Sequence, residues 1–223
     1  MGRRPKFRKG TNLKYRLLSA VILIPFSLYI IYLGPPYSLV LVGAVVVCLF
    51  VEWFFLCLKN RLRFWQKLSC IILGTLYLTV ATLWIFQYLY TPDGWKLMYW
   101  LLFLVWSTDT FAYAGGSLLK GPKLVPSISP NKTWSGSIVG LIGGTAVGFG
   151  TSFWLVPFVF HIPAIIILVL IAQGGDLLES LVKRWSLVKD SGVLIPGHGG
   201  FLDRLDSFLA ISFALALWQA FHL

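Results

Sequence analysis

Long apolar runs follow one another along almost the whole chain, and they are the feature that most restricts its fold. A helix of about 20 apolar residues crosses the ~30 Å hydrocarbon core of a bilayer. A soluble domain carries about 25% charged residues, whereas only 12% of these 223 residues are charged and 57% are hydrophobic. The length therefore allows about seven spans with short connections, and little room for a soluble domain.

We predict an all-α integral membrane protein, a polytopic bundle of about seven transmembrane helices. Turn sequences separate two pairs of spans, Gly-Pro-Pro at 34–36 and Pro-Asp-Gly at 92–94. The predicted spans cover residues 17–33, 37–58, 68–90, 97–113, 134–158, 162–178 and 205–221.

The distribution of Lys and Arg predicts how these spans are oriented, because basic residues concentrate on the cytoplasmic side of a membrane protein. In a seven-span topology, the N-terminal tail and the connections after spans two, four and six lie on one side. These segments hold 18 of the 19 basic residues, and only Lys96 falls on the other side. We therefore predict a cytoplasmic N-terminus and an outside C-terminus.

The net charge of +11 follows from the same bias. Basic residues near the membrane surface would also attract anionic headgroups. They flank spans and form no separate domain, so we predict no nucleic-acid binding.

Four glycines in the fifth span, Gly136, Gly140, Gly144 and Gly148, recur every four residues and form one smooth helix face. Small residues at this spacing let helix backbones approach closely in lipid. The pattern predicts tight packing on this face. It leaves open whether the partner lies in the same chain or in a second copy, as a homodimer.

Acidic residues converge on the predicted cytoplasmic face. Asp109 and Asp176 lie near the cytoplasmic ends of spans four and six, and Asp203 and Asp206 open span seven. A carboxylate in or near hydrocarbon is costly, and therefore indicates a functional site. Together with the neighbouring Lys and Arg, such acids suit one chemistry: they hold Mg²⁺, the metal bridges phosphate oxygens, and basic groups neutralise the remaining charge.

A purely structural alternative is that these acids pair with nearby basic residues and anchor helix ends. For Asp203 and Asp206 this alternative is specific, because the helix macrodipole favours acids in a first turn. Glu52, inside span two, is expected to pair internally, and Asp93 to be a turn residue on the far side.

Residues 180–206 read SLVKRWSLVKDSGVLIPGHGGFLDRLD. This segment resembles the signature of phosphatidate cytidylyltransferases, also called CDP-diacylglycerol synthases. The matching positions are Ser180, Lys183, Arg184, Lys189, Asp190, Pro196, His198, Gly199, Gly200, Asp203, Arg204 and Asp206.

Upstream segments extend the resemblance to residues 100–223. GDLLES at 175–180 and SISPNKTW at 127–134 are similar to two further family blocks, and WSTDT at 106–110 has a related pattern. One departure is Ser135, where many members have an acid, and the N-terminal half matches only in being apolar.

The resemblance implies an Mg²⁺-dependent nucleotidyltransferase that transfers CMP from CTP to phosphatidate, giving CDP-diacylglycerol and pyrophosphate for phospholipid biosynthesis. It implies CTP, phosphatidate and the bilayer as partners, and a second, monovalent cation as an open question. The expected location is a bacterial-type inner membrane, with the active site on the cytoplasmic side. We divide the chain into a basic tail with three spans (1–96) and a catalytic region (97–223) with cytoplasmic loops 114–133 and 179–204.

The resemblance also assigns site residues. Asp176 and Asp203 are the first choice for metal ligands, with Asp190 and Asp206 second. His198 would either donate to a phosphate or only hold the turn. The expected catalytic residues are Asp176, Asp203, Lys183, Arg184, Lys189 and Arg204. The expected substrate-binding residues are Ser129, Asn131, Lys132, Thr133, Ser180, Asp190, His198 and Asp206.

Two other classes of protein share this composition. A membrane lipid kinase would also combine apolar helices with acidic and basic loops, and it would transfer the γ-phosphate of a nucleotide. A transporter would carry acids at mid-span and inverted repeats. Here the acids of spans four, six and seven lie at one face, and no clear repeat is present.

Overall fold

The computed structural model describes residues 9–59, 63–156, 161–192, 194 and 199–222, with side chains from residue 21 onward. Within this part of the chain, each of the seven predicted spans is a helix. The helices are α1 (Lys9–Leu33), α2 (Tyr37–Lys59), α3 (Phe64–Leu89), α4 (Gly94–Leu119), α5 (Trp134–Leu155), α6 (Ile162–Trp185) and α7 (Leu202–His222). Both predicted turns separate helices, and Gly34 has a φ of 70° at the first one.

Several helices extend beyond the predicted spans. α4 continues to Leu119 and α6 to Trp185, so each reaches into a segment that we predicted as a loop. The rest of the first loop forms a short antiparallel hairpin that the sequence did not predict, β1 (Lys123–Val125) and β2 (Ser129–Thr133). The described residues therefore form seven helices joined by turns and connections, with this hairpin as the one sheet among them.

Five helices, α2, α3, α5, α6 and α7, are long and apolar enough to cross a membrane, and α1 contains the shorter apolar stretch Val21–Leu33. Large apolar side chains are exposed on the outside of the bundle, including Trp154 at 86% and Phe221 at 81%. Such an exterior is expected where lipid replaces water as the surrounding medium. A multi-pass membrane protein is thus supported, while the count of seven spans and the orientation stay predictions.

The glycine face of α5 packs against α4 of the same chain. A Cβ at Gly140 would lie 2.8 Å from the Ala112 Cβ and 2.9 Å from the Thr108 carbonyl oxygen, and Gly136, Gly144 and Gly148 meet α4 in the same way. Of the two alternatives that the glycine pattern left open, the structure shows packing within one chain, and a homodimer stays a prediction.

Polar connections from distant parts of the sequence meet at one end of the bundle. The Ser186 hydroxyl, just after α6, donates to the Leu56 carbonyl near the end of α2 at 3.0 Å. Arg184 donates through Nε to the Ile128 carbonyl in the hairpin at 2.9 Å. The α2–α3, α4–α5 and α6–α7 connections therefore share one end of the molecule, as the alternation of basic residues predicted.

Candidate active site

Close packing between α6 and α7 brings their polar residues together. A Cβ at Gly175 would lie 2.4 Å from the Ala210 Cβ and 3.1 Å from the Asp206 carbonyl oxygen, so only glycine allows this approach. The Ser207 hydroxyl, buried between the helices, donates to the Ala172 carbonyl at 3.0 Å. Asp176 and Asp206 are each next to one of these contacts. Their side chains consequently lie near each other between α6 and α7.

Three acidic side chains form what we call the carboxylate group: Asp176, Glu179 and Asp206. Each offers one carboxylate oxygen, and these oxygens all lie within 4.8 Å of one another. Glu179 is only 8% exposed, and its Oε1 has no hydrogen-bond partner among the described residues. A buried acceptor without a donor is costly, so this oxygen is a candidate acceptor for a bound ligand.

Lys183 joins the carboxylate group to the start of α7. Its Nζ lies 2.5 Å from Glu179 Oε2 and 2.8 Å from Asp203 Oδ1. Asp203 also accepts hydrogen bonds from the backbone N–H groups of Ser191 and Gly200, each at 2.9 Å from Oδ2. Asp203 is therefore engaged by one ammonium and two amides, and it holds the α6–α7 connection to the start of α7.

The hairpin supplies a second basic residue. Lys132, on β2, extends towards α6 and places its Nζ 2.5 Å from Asp176 Oδ2. Asp176 also receives a long hydrogen bond of 3.4 Å from the Ser180 hydroxyl, one turn later on α6. The contact between Arg184 and the Ile128 carbonyl fixes the hairpin to α6, which keeps Lys132 near the carboxylate group.

A cavity of about 660 Å³ opens beside these residues and has two chemically different parts. Apolar side chains, such as Leu23, Val45 and Leu102 on α1, α2 and α4, make up most of its lining. The residues at its polar end are Asp109, Asp176, Lys183, Asp203, Arg204 and Asp206. The cavity can thus accept a ligand with a long apolar part and an anionic, metal-binding head.

The remaining predicted site residues are spread around this centre. Thr133 caps α5 by accepting a hydrogen bond from the Gly136 N–H at 3.1 Å. On the same strand Ser129 is half-buried and Asn131 is exposed. Lys189 and Asp190 are exposed in the α6–α7 connection and do not line the cavity. His198 lies outside the described residues, so its two interpretations stay open.

The metal-ligand prediction paired Asp176 with Asp203. Both residues line one cavity. The carboxylate oxygens near that of Asp176, however, belong to Asp206 and Glu179. Because Asp203 is engaged by Lys183 and two backbone amides, the geometry favours Asp206, our second choice, as the partner of Asp176. The ligand assignment itself stays a prediction.

Two acids in or beside the centre were absent from the predicted set. Glu179 follows Asp176 by three positions and precedes Lys183 by four, a spacing that places all three side chains on one helix face. That spacing was a usable signal for Glu179. Asp109 stood out as an acid near a span end, but only the fold shows that it lines the same cavity.

The chain is similar to known proteins of one family. The sequence profile of the Cytidylyltransferase family matches residues 54–221. A phosphatidate cytidylyltransferase of Rickettsia conorii is 32% identical over 97% of this chain and 95% of its own length. One of Rickettsia bellii is 35% identical over 92% and 89%. One of Brucella abortus is 46% identical over 58% of this chain and 48% of its own length.

The family profile covers more than half of the chain, including the hairpin and every residue of the carboxylate group. The Rickettsia relatives align along nearly the entire sequence at more than 30% identity. This chain therefore belongs to the Cytidylyltransferase family.

Proposed function

We propose that this protein transfers CMP from CTP to phosphatidate and releases pyrophosphate. In this reaction a phosphate oxygen of phosphatidate attacks the α-phosphorus of CTP. A new P–O bond forms, the bond to the β-phosphate oxygen breaks, and the pair of electrons leaves with pyrophosphate. The product is CDP-diacylglycerol. The named activity of the Rickettsia and Brucella relatives supports this assignment.

The two-part cavity is the observation that carries the proposal. Phosphatidate is an amphipathic substrate, with acyl chains that need apolar surroundings and a phosphate that needs cations. The apolar lining from α1, α2 and α4 would accommodate the acyl chains. The polar end would then hold the lipid phosphate beside the triphosphate of CTP.

The basic residues of the centre would neutralise the phosphates. Lys183 and Arg204 line the cavity, and Lys132 lies against Asp176. Ammonium and guanidinium groups form strong, charge-assisted hydrogen bonds with phosphate oxygens. The attacking phosphate oxygen is already ionised at neutral pH, so we assign no general base. Alignment and charge neutralisation are the catalytic demands.

The carboxylate group fits Mg²⁺. This ion binds oxygen ligands, uses one or two protein carboxylates, and completes its shell with water and substrate phosphates. Asp176, Asp206 and Glu179 provide such donors, and the buried Oε1 of Glu179 could serve as a further oxygen ligand. When bound, Mg²⁺ would neutralise charge on the triphosphate. A second, monovalent cation stays an additional proposal from the family resemblance.

We also propose that the polar end of the bundle faces the cytoplasm of a bacterial inner membrane. The asymmetry of the basic residues supports this orientation, and CTP and Mg²⁺ are supplied from that side. A reporter that is active only outside the cytoplasm should be active when it is fused after Leu33 or after Leu89. A reporter that is active only in the cytoplasm should be inactive at both positions. Cytoplasmic activity at either position would contradict the orientation.

The reaction is tested with purified protein, phosphatidate and CTP labelled at either the α- or the γ-phosphate. The proposal expects α-label in the lipid product and γ-label in pyrophosphate. A lipid kinase would give γ-label in the lipid instead. Replacing phosphatidate by diacylglycerol, which lacks the phosphate nucleophile, is the matched substrate control and should give no labelled lipid.

A further inference from the structure

Glu52 is an acid within the apolar helix α2, far from the acids of the cavity in sequence, and it is only 4% exposed. A buried carboxylate in a candidate membrane span is expensive unless its oxygens are hydrogen-bonded. None of the reaction steps proposed above uses it. It also lies just outside residues 54–221, which match the family profile.

The Glu52 carboxylate is bound by residues that lie some 140 to 150 positions later. Oε1 accepts from the Phe201 N–H at 3.0 Å, and Oε2 accepts from the Leu202 N–H at 2.9 Å. Oε2 also accepts from the Ser191 hydroxyl at 3.3 Å. All three donors belong to the α6–α7 connection or to the first residue of α7.

Two of these contacts act as a cap supplied from another helix. The first N–H groups of a helix have no acceptor inside it, and the positive end of the helix dipole favours a negative charge there. Glu52 meets both needs at α7 by accepting from Phe201 and Leu202. It thereby fixes where α7 begins relative to α2.

The backbone is shaped around this carboxylate. A Cβ at Gly192 would lie 2.4 Å from Glu52 Oε1, and a Cβ at Gly200 would lie 2.4 Å from Oε2. Neither position tolerates a side chain while Glu52 stays in place. The two glycines therefore let the backbone at positions 192 and 200 approach the acid closely.

Glu52 and Asp203 bind neighbouring groups of the same two parts of the chain, at Ser191 and at 200–202. Ser191 donates its hydroxyl to Glu52 and its N–H to Asp203. Gly200 donates its N–H to Asp203, while the next two N–H groups go to Glu52. A change at Glu52 would therefore be transmitted to Asp203, and through Asp203 to Lys183 in the cavity.

We propose that Glu52 is a positioning residue: by binding Ser191 and the first amides of α7, it sets the position of Asp203 and Lys183 for the transfer reaction. It does not touch the substrates. The catalytic part of this inference rests on the proposed function. The structural part does not, because it concerns only how the α6–α7 connection is held.

Glu52→Gln is the central variant, since the side chain keeps its size but has one acceptor oxygen where two are needed. The amide NH₂ would then face a backbone N–H. We expect kcat to fall between about tenfold and about a hundredfold, because small misplacements are costly in an aligned site. The KM for CTP should change by less than about threefold, since the cationic groups are still present.

Ser38→Ala is the matched control, because Ser38 is fully buried in the same helix and its hydroxyl has no hydrogen-bond partner among the described residues. Its kcat should equal that of the wild type. A double-mutant cycle adds a second readout: Ser191→Ala should lower kcat in the wild type but have little further effect in Glu52→Ala. Full additivity of the two changes, or a normal kcat in Glu52→Gln, would overturn the positioning role.

Hydrogen exchange tests the structural part without any assay of activity. In the wild type, the amides of Phe201 and Leu202 should be protected, and Glu52→Ala should increase their exchange at least tenfold while amides in the middle of α5 stay unchanged. Unchanged protection would refute the inference whatever reaction the protein catalyses. An inactive wild type with the expected loss of protection would instead refute only the proposed function.

Discussion

Lys183 donates a hydrogen bond to Asp203, with its Nζ 2.8 Å from Oδ1, although the two residues lie 20 positions apart. The lysine is in the last turns of α6 and the aspartate in the first turn of α7. Both side chains are well buried, at 13% and 6% exposure. This ion pair therefore ties the end of α6 to the start of α7, next to the carboxylate group.

Replacing Lys183 by Met should remove both activity and stability. It would leave Glu179 and Asp203 without their cation, and breaking a buried ion pair from one side costs about 3–5 kcal/mol. Thermal unfolding in detergent should show a clearly lower midpoint, and CMP transfer should be lost. Lys96→Met is the matched control, because the Lys96–Asp93 pair is exposed and such pairs contribute little. Equal midpoints for the two variants would contradict this role.

Magnesium titrations distinguish the two candidate ligand pairs. If Asp206 shares the ion with Asp176, Asp206→Asn should raise the Mg²⁺ concentration for half-maximal activity at least about tenfold. Asp203→Asn should lower kcat with little change in that concentration, since Asp203 binds Lys183 and two amides. The opposite pattern would restore the pair predicted from sequence. Chelation of Mg²⁺ should abolish turnover of the wild type, and added Mg²⁺ should restore it.

Gly140→Ala should destabilise the packing of α5 on α4. The new methyl group would lie within 3 Å of Ala112 and of the Thr108 carbonyl, and overpacking of this kind costs about 1–3 kcal/mol. Gly150→Ala, in the same helix, has nothing within 4 Å of its Cβ and should leave the unfolding midpoint unchanged or raise it slightly. Equal unfolding midpoints for the two variants would mean that α4 and α5 do not pack in this way.

The helices were predictable because lipid strongly restricts the structures that a chain can form inside it. Apolar runs of span length, separated by turn residues, located all seven, and the glycine spacing in α5 predicted a closely packed face. Helix ends were harder to predict. The last turns of α4 contain two adjacent glycines, and those of α6 carry charged residues, so the predicted spans ended early at residues that tertiary contacts keep helical.

The sequence allowed us to predict which residues belong to the site, but not which of its acids lie next to one another. Charge placement and the motif selected Asp176, Lys183 and Asp203, which line one cavity in the structure, while their roles stay predictions. The closer grouping of Asp176 with Asp206 depends on the packing of Gly175 against α7, which no local pattern encodes. The contacts of Glu52 span about 150 positions, so its partners could be identified only from the fold.

The most direct test of the account is transfer of α-label from CTP to phosphatidate by purified Asp176→Asn, compared with Asp93→Asn. Asp176 lies in the carboxylate group, whereas Asp93 is an exposed acid in the turn before α4. The account predicts a loss of at least about a hundredfold in rate for Asp176→Asn, with normal thermal unfolding, and an unchanged rate for Asp93→Asn. Near-normal transfer by a folded Asp176→Asn variant would contradict the placement of the reaction at this cavity.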